Sequence, residues 1–206
     1  MSKNAPFKNI AVIGAGTMGS GIAGQIANSE QEVLLLDIPG KTPNSITEDA
    51  VKKLIRSDPP ALMHKNKANL IKVGNIRDDF NKLANCDLII EAVVERLDIK
   101  KDLYNRINNI VNSKCVITSN TSTIPIKLLV EDMPQSFRER FAITHYFNPV
   151  RFMRLLELVR GEHTKSEIIK KLADYNDRIL GKGVVACNDT PGFLGNRVGV
   201  YALQVG

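Results

Sequence analysis

Tryptophan is absent from this sequence of 206 residues, aromatic side chains make up only 5% of it, and it has three cysteines. Cys86, Cys115 and Cys187 lie far apart and form no Cys-x-x-Cys pair, which argues against a disulfide framework and against a zinc motif. We predict no metal site and a reducing, cytoplasmic compartment. No apolar run approaches the length of a membrane span, and no apolar stretch precedes the first predicted strand as in a signal peptide.

The charge balance is mildly basic, because 28 lysine and arginine residues face 22 acidic residues and leave a net charge of +6. The basic residues are spread along the chain and few aromatic side chains accompany them. We therefore interpret the charge as a solvated surface and expect no nucleic-acid partner. A chain of this length predicts one full domain with a short appendage.

An apolar run near the N-terminus breaks into glycines and then opens a helix. Ile10 to Ile13 predict a strand, which a tight turn and a helix N-terminus follow. Backbone N–H groups at such a helix start can approach a pyrophosphate, whose charge the helix dipole also favours. We therefore predict a dinucleotide-phosphate cradle formed by Gly14, Ala15, Gly16, Thr17, Met18 and Gly19.

A second apolar run, Val33 to Leu36, ends in Asp37. A carboxylate at the tip of the second strand accepts both hydrogen bonds of an adenosine ribose diol and repels a 2′-phosphate. The predicted cofactor is therefore NAD rather than NADP. The alternative is an ordinary strand, turn and helix with a surface aspartate, because glycines recur at this spacing by chance.

The rest of the chain alternates between strand and helix patterns. This alternation predicts an α/β fold of the Rossmann type, with a doubly wound and mostly parallel sheet. Leu155 to Val159 follows Pro149 too closely for a helical crossover, so we expect an antiparallel extension of the sheet. Predicted helices cover 46–56, 61–69, 78–83, 97–111, 124–130 and 162–180, and predicted strands cover 70–73, 87–94, 115–118, 141–145, 155–159 and 183–187.

The segment 52–67 is rich in cations and has few acids. Its charge favours either contact with an anionic ligand, such as a nucleotide phosphate, or simply a solvated helix face. Its basic residues are Lys52, Lys53, Arg56, Lys65 and Lys67.

His145 is the one histidine at the C-terminal end of a predicted sheet strand, and Glu157 lies between two leucines on the return strand. A histidine oriented by a carboxylate can take a hydroxyl proton while NAD accepts the hydride. A buried acid at position 157 needs a partner, and neighbouring strands make contact with His145 possible. The alternatives are a hydrogen-bonded core histidine and a glutamate that faces solvent on an edge strand.

Six motifs of the chain are together specific: Gly14-Ala-Gly-Thr-Met-Gly19, Glu91-Ala-Val-Val-Glu95, Ser119-Asn-Thr-Ser122, His145-Tyr-Phe-Asn-Pro149, Leu156-Glu157, and Asp189-Thr-Pro-Gly-Phe193 with Asn196-Arg197. Through them the sequence resembles, over essentially its whole length, the NAD-binding domain of the L-3-hydroxyacyl-CoA dehydrogenase family. Segments 59–80 and 180–185 look closest to the large bacterial β-oxidation proteins, in which the dehydrogenase precedes a hydratase domain.

The resemblance implies NAD-dependent oxidation of L-3-hydroxyacyl-CoA to 3-ketoacyl-CoA in fatty acid β-oxidation. It implies that His145 is the base with Glu157 as its partner, and that Ser122 and Asn196 hold the substrate's hydroxyl or carbonyl group. The residues that it places around the nicotinamide half of the cofactor are Glu95, Lys100, Ser122 and Asn148. The basic segment resembles the family's CoA-contacting helices, but Asp58-Pro-Pro departs from the short single-domain members, so individual contacts are not carried over.

Members of the family continue into an all-helical domain that closes the acyl-CoA pocket and provides most of the dimer contact. We therefore assign 1–188 to the NAD-binding domain and 189–206 to the first helix of a helical domain that this chain lacks. The helix opened by Thr190 and Pro191 is apolar nearly all round, so we expect it to be disordered or to pack against the domain or a second copy, as in a homodimer.

Two other functions remain open at this point. One is an NAD-binding module that is not catalytic because it is truncated. The other is a related dehydrogenase that uses the same histidine and glutamate on a hydroxy acid such as a sugar acid.

Overall fold

The computed structural model describes residues 5–205. The strands are β1 (Ile10–Ile13), β2 (Val33–Asp37), β3 (Ile71–Asn75), β4 (Leu88–Glu91), β5 (Val116–Ser119), β6 (Phe141–Tyr146), β7 (Leu155–Arg160) and β8 (Gly183–Cys187). The α-helices are α1 (Thr17–Asn28), α2 (Ser45–Arg56), α3 (Leu97–Asn108), α4 (Ile126–Val130), α5 (Gln135–Arg138), α6 (Ser166–Asp174) and α7 (Gly195–Val205). Two 3-10 helices, Lys65–Leu70 and Phe80–Asn85, and a π-helical turn, Tyr175–Ile179, complete the described elements.

All of these strands belong to one sheet with the order β3-β2-β1-β4-β5-β6-β7-β8. The neighbours from β3 through β6 are paired in parallel. The chain moves outward from β1 to β3 and then returns to β4 on the other side of β1. Such a reversal leaves a crevice outside the carboxyl ends of β1 and β4, where α/β sheets bind their ligands. The predicted doubly wound fold is therefore confirmed.

Helices cover both faces of the sheet. Every residue of β1, β4 and β5 is buried, as expected for parallel strands that are covered on both sides. One core packs the sheet against α1, α2 and α6 and includes Ile26 and Leu54. The other core packs it against α3, α4 and α5 and includes Leu103 and Phe137.

The antiparallel extension is also confirmed. β7 runs antiparallel to β6, and the register places Glu157 directly opposite His145. Residues opposite each other in such a pair have Cβ atoms about 4.5–5.5 Å apart, so the two side chains are within reach of one another. β8 then pairs in parallel with β7 and completes the sheet.

The helix predicted over 61–69 is wrong except for the 3-10 helix Lys65–Leu70. The backbone before that helix bonds to a side chain from α1 rather than to itself. Asn28 donates to the carbonyl oxygen of Ala61 at 3.0 Å and accepts the amide of Met63 at 2.8 Å. These long-range bonds use the groups that an α-helix would pair internally.

The predicted start of the last helix is wrong as well, because α7 begins at Gly195 and not at Pro191. Gly192 and Phe193 have φ angles of +76° and +45°, which lie in the left-handed region. A right-handed helix cannot pass through such residues, so 191–194 form a turn that precedes it.

Helix α7 is formed, and it does not bury its apolar side chains against the described chain. Val198, Tyr201 and Leu203 are exposed, Leu203 to 86%. The expectation that this helix is disordered or packs against the domain is therefore wrong for a single chain, whereas contact with a second copy stays a prediction. None of the helices in residues 5–205 has the length and hydropathy that crossing a membrane requires.

Candidate active site

The segment from the end of β1 into the first turn of α1 contains two glycines at which a side chain has no room. A Cβ atom on Gly14, whose φ is +103°, would lie 2.4 Å from the carbonyl oxygen of Ala92, and one on Gly19 would lie 1.8 Å from that of Gly14. Gly16 is different, since no heavy atom lies within 4 Å of the position that its Cβ would occupy. This open space at the N-terminus of α1 fits the pyrophosphate of a dinucleotide.

Asp37 ends β2 beside this turn. Its carboxylate accepts the amide N–H of Ala15 at 2.5 Å and that of Ile38 at 2.6 Å. A cleft of about 770 Å³ extends from Gly14 and Asp37 across the carboxyl ends of β1 and β4 to Arg106 on α3. This volume is within the range of cofactor sites, and the cleft lies at the reversal of strand order.

His145 and Glu157 form a buried pair at the ends of β6 and β7. Nδ1 of His145 lies 2.7 Å from Oε2 of Glu157, and Glu157 has no exposed surface. Because an ionised carboxylate can only accept hydrogen bonds, Nδ1 carries a proton, and in the neutral imidazole the lone pair is then on Nε2. The pair can therefore take up a proton at Nε2.

The second carboxylate oxygen of Glu157 is bound to the start of α7. Oε1 accepts the amide of Leu194 at 2.8 Å and that of Gly195 at 2.6 Å. Burial opposes ionisation, but the hydrogen bonds from His145, Gly195 and Leu194 outweigh it, so the pKa of Glu157 lies below its ordinary value. Burial and the charge of Glu157 raise the pKa of the nearby Cys187 thiol. Glu157 is thus a carboxylate that links His145 to the last helix.

A second cleft, of about 370 Å³, opens on His145. It brings together predicted site residues from five separate segments: Met18, Glu95, Ser122, Asn148 and Asn196. Asn120 also lines this cleft, and its side-chain oxygen accepts the amide of Tyr146 at 2.9 Å. Asn120 has no predicted role of its own, although its place directly after a buried strand is a signal in the sequence for such a position.

Lys100, which was predicted beside the nicotinamide, is 1% exposed and is connected to this cleft through Glu95. Its ammonium lies 2.6 Å from Oε1 of Glu91 and 3.3 Å from Oε2 of Glu95. Glu95 in turn accepts the hydroxyl of Thr121 and the amide of Ser122 at 3.2 Å. Lys100 therefore positions the Glu95 carboxylate, which in turn binds the Thr121 hydroxyl and the Ser122 amide.

Glu91 is a buried acid without a predicted role of its own. Besides the Lys100 contact, it accepts the hydroxyl of Tyr104 at 2.6 Å and that of Ser119 at 2.7 Å. Burial, together with the charge of Glu91, raises the pKa of Tyr104 well above its ordinary value. The signal in the sequence was an acid inside an apolar strand pattern, which needs a partner.

A third cleft, of about 770 Å³, lies between α1, α2 and residues 148–152, and it shares Gly16, Thr17 and Asp37 with the first cleft. Lys53 on α2 lines it, and Lys52 and Arg56 lie with Lys53 on the adjoining surface. Asn148 lines both this cleft and the cleft at His145. The two clefts are therefore neighbours, with Asn148 between them.

Other chemistry has little support in the described part of the chain. Residues 5–205 contain no group of three or more histidine, cysteine, aspartate or glutamate side chains that could hold a metal ion. Cys86 and Cys115 are buried free thiols, and burial raises the pKa of each to about 12. Neither thiol is suited to act as a nucleophile.

The comparisons with known proteins agree with this geometry. The model of the family described as 3-hydroxyacyl-CoA dehydrogenase, NAD binding domain, matches residues 9–190. A Rickettsia felis protein named as a fatty acid oxidation complex trifunctional enzyme is 46% identical over 202 residues, which are 97% of this chain and 28% of that protein. A Deinococcus radiodurans protein named as a 3-hydroxyacyl-CoA dehydrogenase is 42% identical over 200 residues, which are 96% of this chain and 58% of that protein.

Among solved structures, that of M. tuberculosis FadB2 matches with a TM-score of 0.83 and 32% identity, over 97% of this chain and 70% of that chain. The chain spans between 28% and 58% of the two curated relatives named above. The family model covers nearly all of the described residues, including the glycine turn, Asp37 and the His145–Glu157 pair. The chain therefore belongs to the 3-hydroxyacyl-CoA dehydrogenase family and corresponds to its NAD-binding domain.

Proposed function

We propose that this chain is the cofactor-binding and proton-accepting part of an enzyme that oxidises L-3-hydroxyacyl-CoA to 3-ketoacyl-CoA in fatty acid β-oxidation. The observation that carries the proposal is the His145–Glu157 pair, with a 2.7 Å contact, beside a cleft that adjoins the glycine turn. The names of the relatives point to the same reaction.

NAD fits the residues of the first cleft. The space at Gly16 would accept the pyrophosphate, and the carboxylate of Asp37 would accept the hydroxyls of the adenosine ribose. The nicotinamide half would then extend toward Glu95, Ser122 and Asn148. When bound, NAD supplies the acceptor for the hydride.

The chain's own residues account for the proton. Nε2 of His145 takes the proton of the substrate hydroxyl, and the carboxylate of Glu157 stabilises the imidazolium that results. Ser122 and Asn196, which line the same cleft, would hold the hydroxyl or carbonyl oxygen. The small cleft leaves His145 only 7% exposed, which limits the access of water to the base.

The acyl-CoA substrate needs a longer site than the cleft at His145. The neighbouring cleft between α1 and α2 supplies length and, at Lys53, a positive charge for an anionic tail. Asn148, between the two clefts, would mark the passage from the reacting carbon to the rest of the substrate.

The test is the formation of NADH from L-3-hydroxybutyryl-CoA by this chain and by a longer protein that includes it. We expect turnover with NAD in the longer protein, and His145→Gln to lower it by about 10²–10⁴-fold while NADH binding stays near normal. Normal turnover by His145→Gln would refute the role of the histidine. Turnover of a sugar acid in preference to the acyl-CoA would refute the substrate.

A second candidate, an NAD-binding module that is not catalytic by itself, is favoured by one observation. The apolar side chains of α7 are exposed, which predicts a covering surface from a further domain or a second copy, as in a homodimer. Tight NADH binding by the 206-residue chain without turnover, together with turnover by the longer protein, would support this candidate for the chain alone. Sedimentation of the chain, with Leu203→Glu as the comparison, tests the homodimer.

A further inference from the structure

Lys182 is a buried cation that the chemistry described above does not use. It comes just before β8 and is 1% exposed. Its ammonium donates to the carbonyl oxygen of Met153 at 3.0 Å and to that of Val150. No carboxylate within residues 5–205 forms an ion pair with it, and the ring of Tyr146 lies 5.9 Å from the ammonium. Both hydrogen bonds go to one short segment, which we call the 148–153 loop.

The 148–153 loop lies between the cleft at His145, assigned to the reacting groups, and the cleft between α1 and α2, assigned to the rest of the substrate. It includes Asn148, which lines both clefts, and Phe152, which lines the cleft between α1 and α2. Inside the loop, the amides of Phe152 and Met153 donate to the carbonyl oxygen of Pro149 at 3.0 and 2.9 Å. These two bonds fix the shape of the loop, but they do not fix its position against the sheet.

Two other contacts hold the loop from the side of the cleft. Arg151 donates to the carbonyl oxygens of Pro60 at 2.5 Å and Leu62 at 3.2 Å. Val150 packs against α1 at Gly21, where a Cβ atom would lie 2.9 Å from the valine side chain. Lys182 is a third contact, and it reaches the loop from the residues just before β8.

We propose that Lys182 is a positioning residue that holds the 148–153 loop, and through it Asn148 and the wall of the neighbouring cleft, in the arrangement that receives the acyl-CoA substrate. The inference rests on the proposed function. Burying an ammonium without a carboxylate partner costs free energy, so this arrangement adds little to the stability of the sheet. Burial lowers the pKa of Lys182 to about 8, and a neutral amine still has two N–H groups for the two carbonyls. The hold on the loop therefore does not depend on the charge.

The first measurement needs no turnover. Amide hydrogen exchange of the 206-residue chain is compared between the unsubstituted protein and two variants. Lys182→Met nearly keeps the length of the side chain and removes the donor, and Lys170→Met makes the same change at an exposed position of α6. We expect the amides of Phe152 and Met153 to exchange about tenfold faster in Lys182→Met alone, with the exchange of the central strands unchanged.

The second measurement is turnover of 3-hydroxyacyl-CoA by the longer protein. We expect Lys182→Met to raise the KM for the acyl-CoA by about tenfold. It should lower kcat by less than it raises KM, because the His145–Glu157 pair is held independently of the loop, whereas Asn148 in the loop also faces the nicotinamide half of the cofactor site. Lys182→Gln, which keeps a donor on a shorter side chain, should give a KM between those of the unsubstituted protein and Lys182→Met. If Lys182→Met does not fold, the exchange and turnover measurements are made with Lys182→Gln instead.

Three results would overturn the proposal. The first is unchanged amide exchange at Phe152 and Met153 in a folded Lys182 variant. The second is faster exchange throughout the sheet in both Lys182→Met and Lys182→Gln, which would give Lys182 a purely structural role. The third is faster exchange in the loop with an unchanged KM. Failure of the proposed function is distinguishable, because the unsubstituted protein would then not turn over the substrate while the exchange experiment would still report on the loop.

Discussion

Replacing Glu157 with glutamine tests the proton-accepting pair most directly. The change keeps the size of the side chain and converts one oxygen into an NH₂ group. In the native site one carboxylate oxygen faces Nδ1 of His145 and the other accepts the amides of Leu194 and Gly195. The glutamine has only one oxygen for these two places, so one of them must receive the NH₂ group.

The amides at the start of α7 decide which place it takes. If the NH₂ group faced Leu194 and Gly195, two partly buried N–H donors would lose their acceptor, at up to about 1–3 kcal/mol each. The oxygen therefore stays with the amides, and the NH₂ group points at His145. Nδ1 of His145 must then accept, which transfers the ring proton to Nε2 and removes the lone pair that takes the substrate proton.

We expect Glu157→Gln to lower kcat by about 10³–10⁴-fold, since the wrong histidine tautomer costs roughly 10⁴ in the serine protease triad and base catalysis is worth about 10²–10⁴. The assay is NADH formation from L-3-hydroxybutyryl-CoA by the longer protein. Affinity for NADH should stay near normal, because Glu157 has no exposed surface. Glu162→Gln, the same change at an exposed turn after β7, is the matched control.

A double substitution separates the tautomer from other causes. If Glu157 acts through His145, then Glu157→Gln should add almost nothing to the loss already caused by His145→Gln. Two losses that multiply would show that Glu157 acts elsewhere. A Glu157→Gln protein that keeps more than about a tenth of the native kcat would refute the argument from the tautomer.

Acid provides a further check on the same carboxylate. The pKa of Glu157 is lowered from 4.5, so its charge stabilises the fold above pH 4.5, and that contribution is lost as the pH falls through the lowered value. The difference in free energy of unfolding between the native protein and Glu157→Gln should therefore shrink below pH 4.5. If this difference in free energy of unfolding stayed constant down to about pH 3, the result would contradict the lowered pKa of Glu157.

Substitutions of Gly16, Asp37 and Lys100 test the residues assigned to the cofactor and to the support of its site. Gly16→Ala should keep the midpoint of thermal unfolding and weaken NADH binding by about tenfold or more. Gly19→Ala should lower the midpoint itself, because only the Cβ at position 19 meets protein atoms, and equal midpoints of the two variants in calorimetry would contradict this. Asp37→Ala should weaken NADH binding by about tenfold in a fluorescence titration and bring the affinities for NADH and NADPH closer together. An unchanged ratio of the two affinities would remove the basis for NAD preference. Lys100→Met should lower the free energy of unfolding in urea by about 3–5 kcal/mol, because it leaves the buried carboxylate of Glu91 without its cation. Lys101→Met, which removes a surface ion pair, should lower it by only about 0–1 kcal/mol, and similar losses in the two variants would show that the buried pair is unimportant.

The parts of the fold and site that the sequence predicts depend on short-range patterns. The glycine turn and Asp37 lie at the ends of adjacent apolar runs, and strand periodicity alone brings them together. The pairing of His145 with Glu157 across β6 and β7 follows from a connection between these strands that is too short for a helical crossover. The burial of Lys100 was not predictable in the same way, because its partner Glu91 comes from another element and an exposed helical lysine has the same local pattern.

The turn before α7 shows why the remaining part could not be predicted. Thr190 and Pro191 are typical of a helix start, and the same residues followed by glycine are equally typical of a turn. The turn occurs, and the positive φ of Phe193 is possible because its ring is buried, 5.8 Å from that of His145. This conformation also aims the amides of the next two residues at Glu157. The orientation of the proposed base therefore depends on where α7 begins, which is a contact between distant parts of the chain and leaves no local pattern.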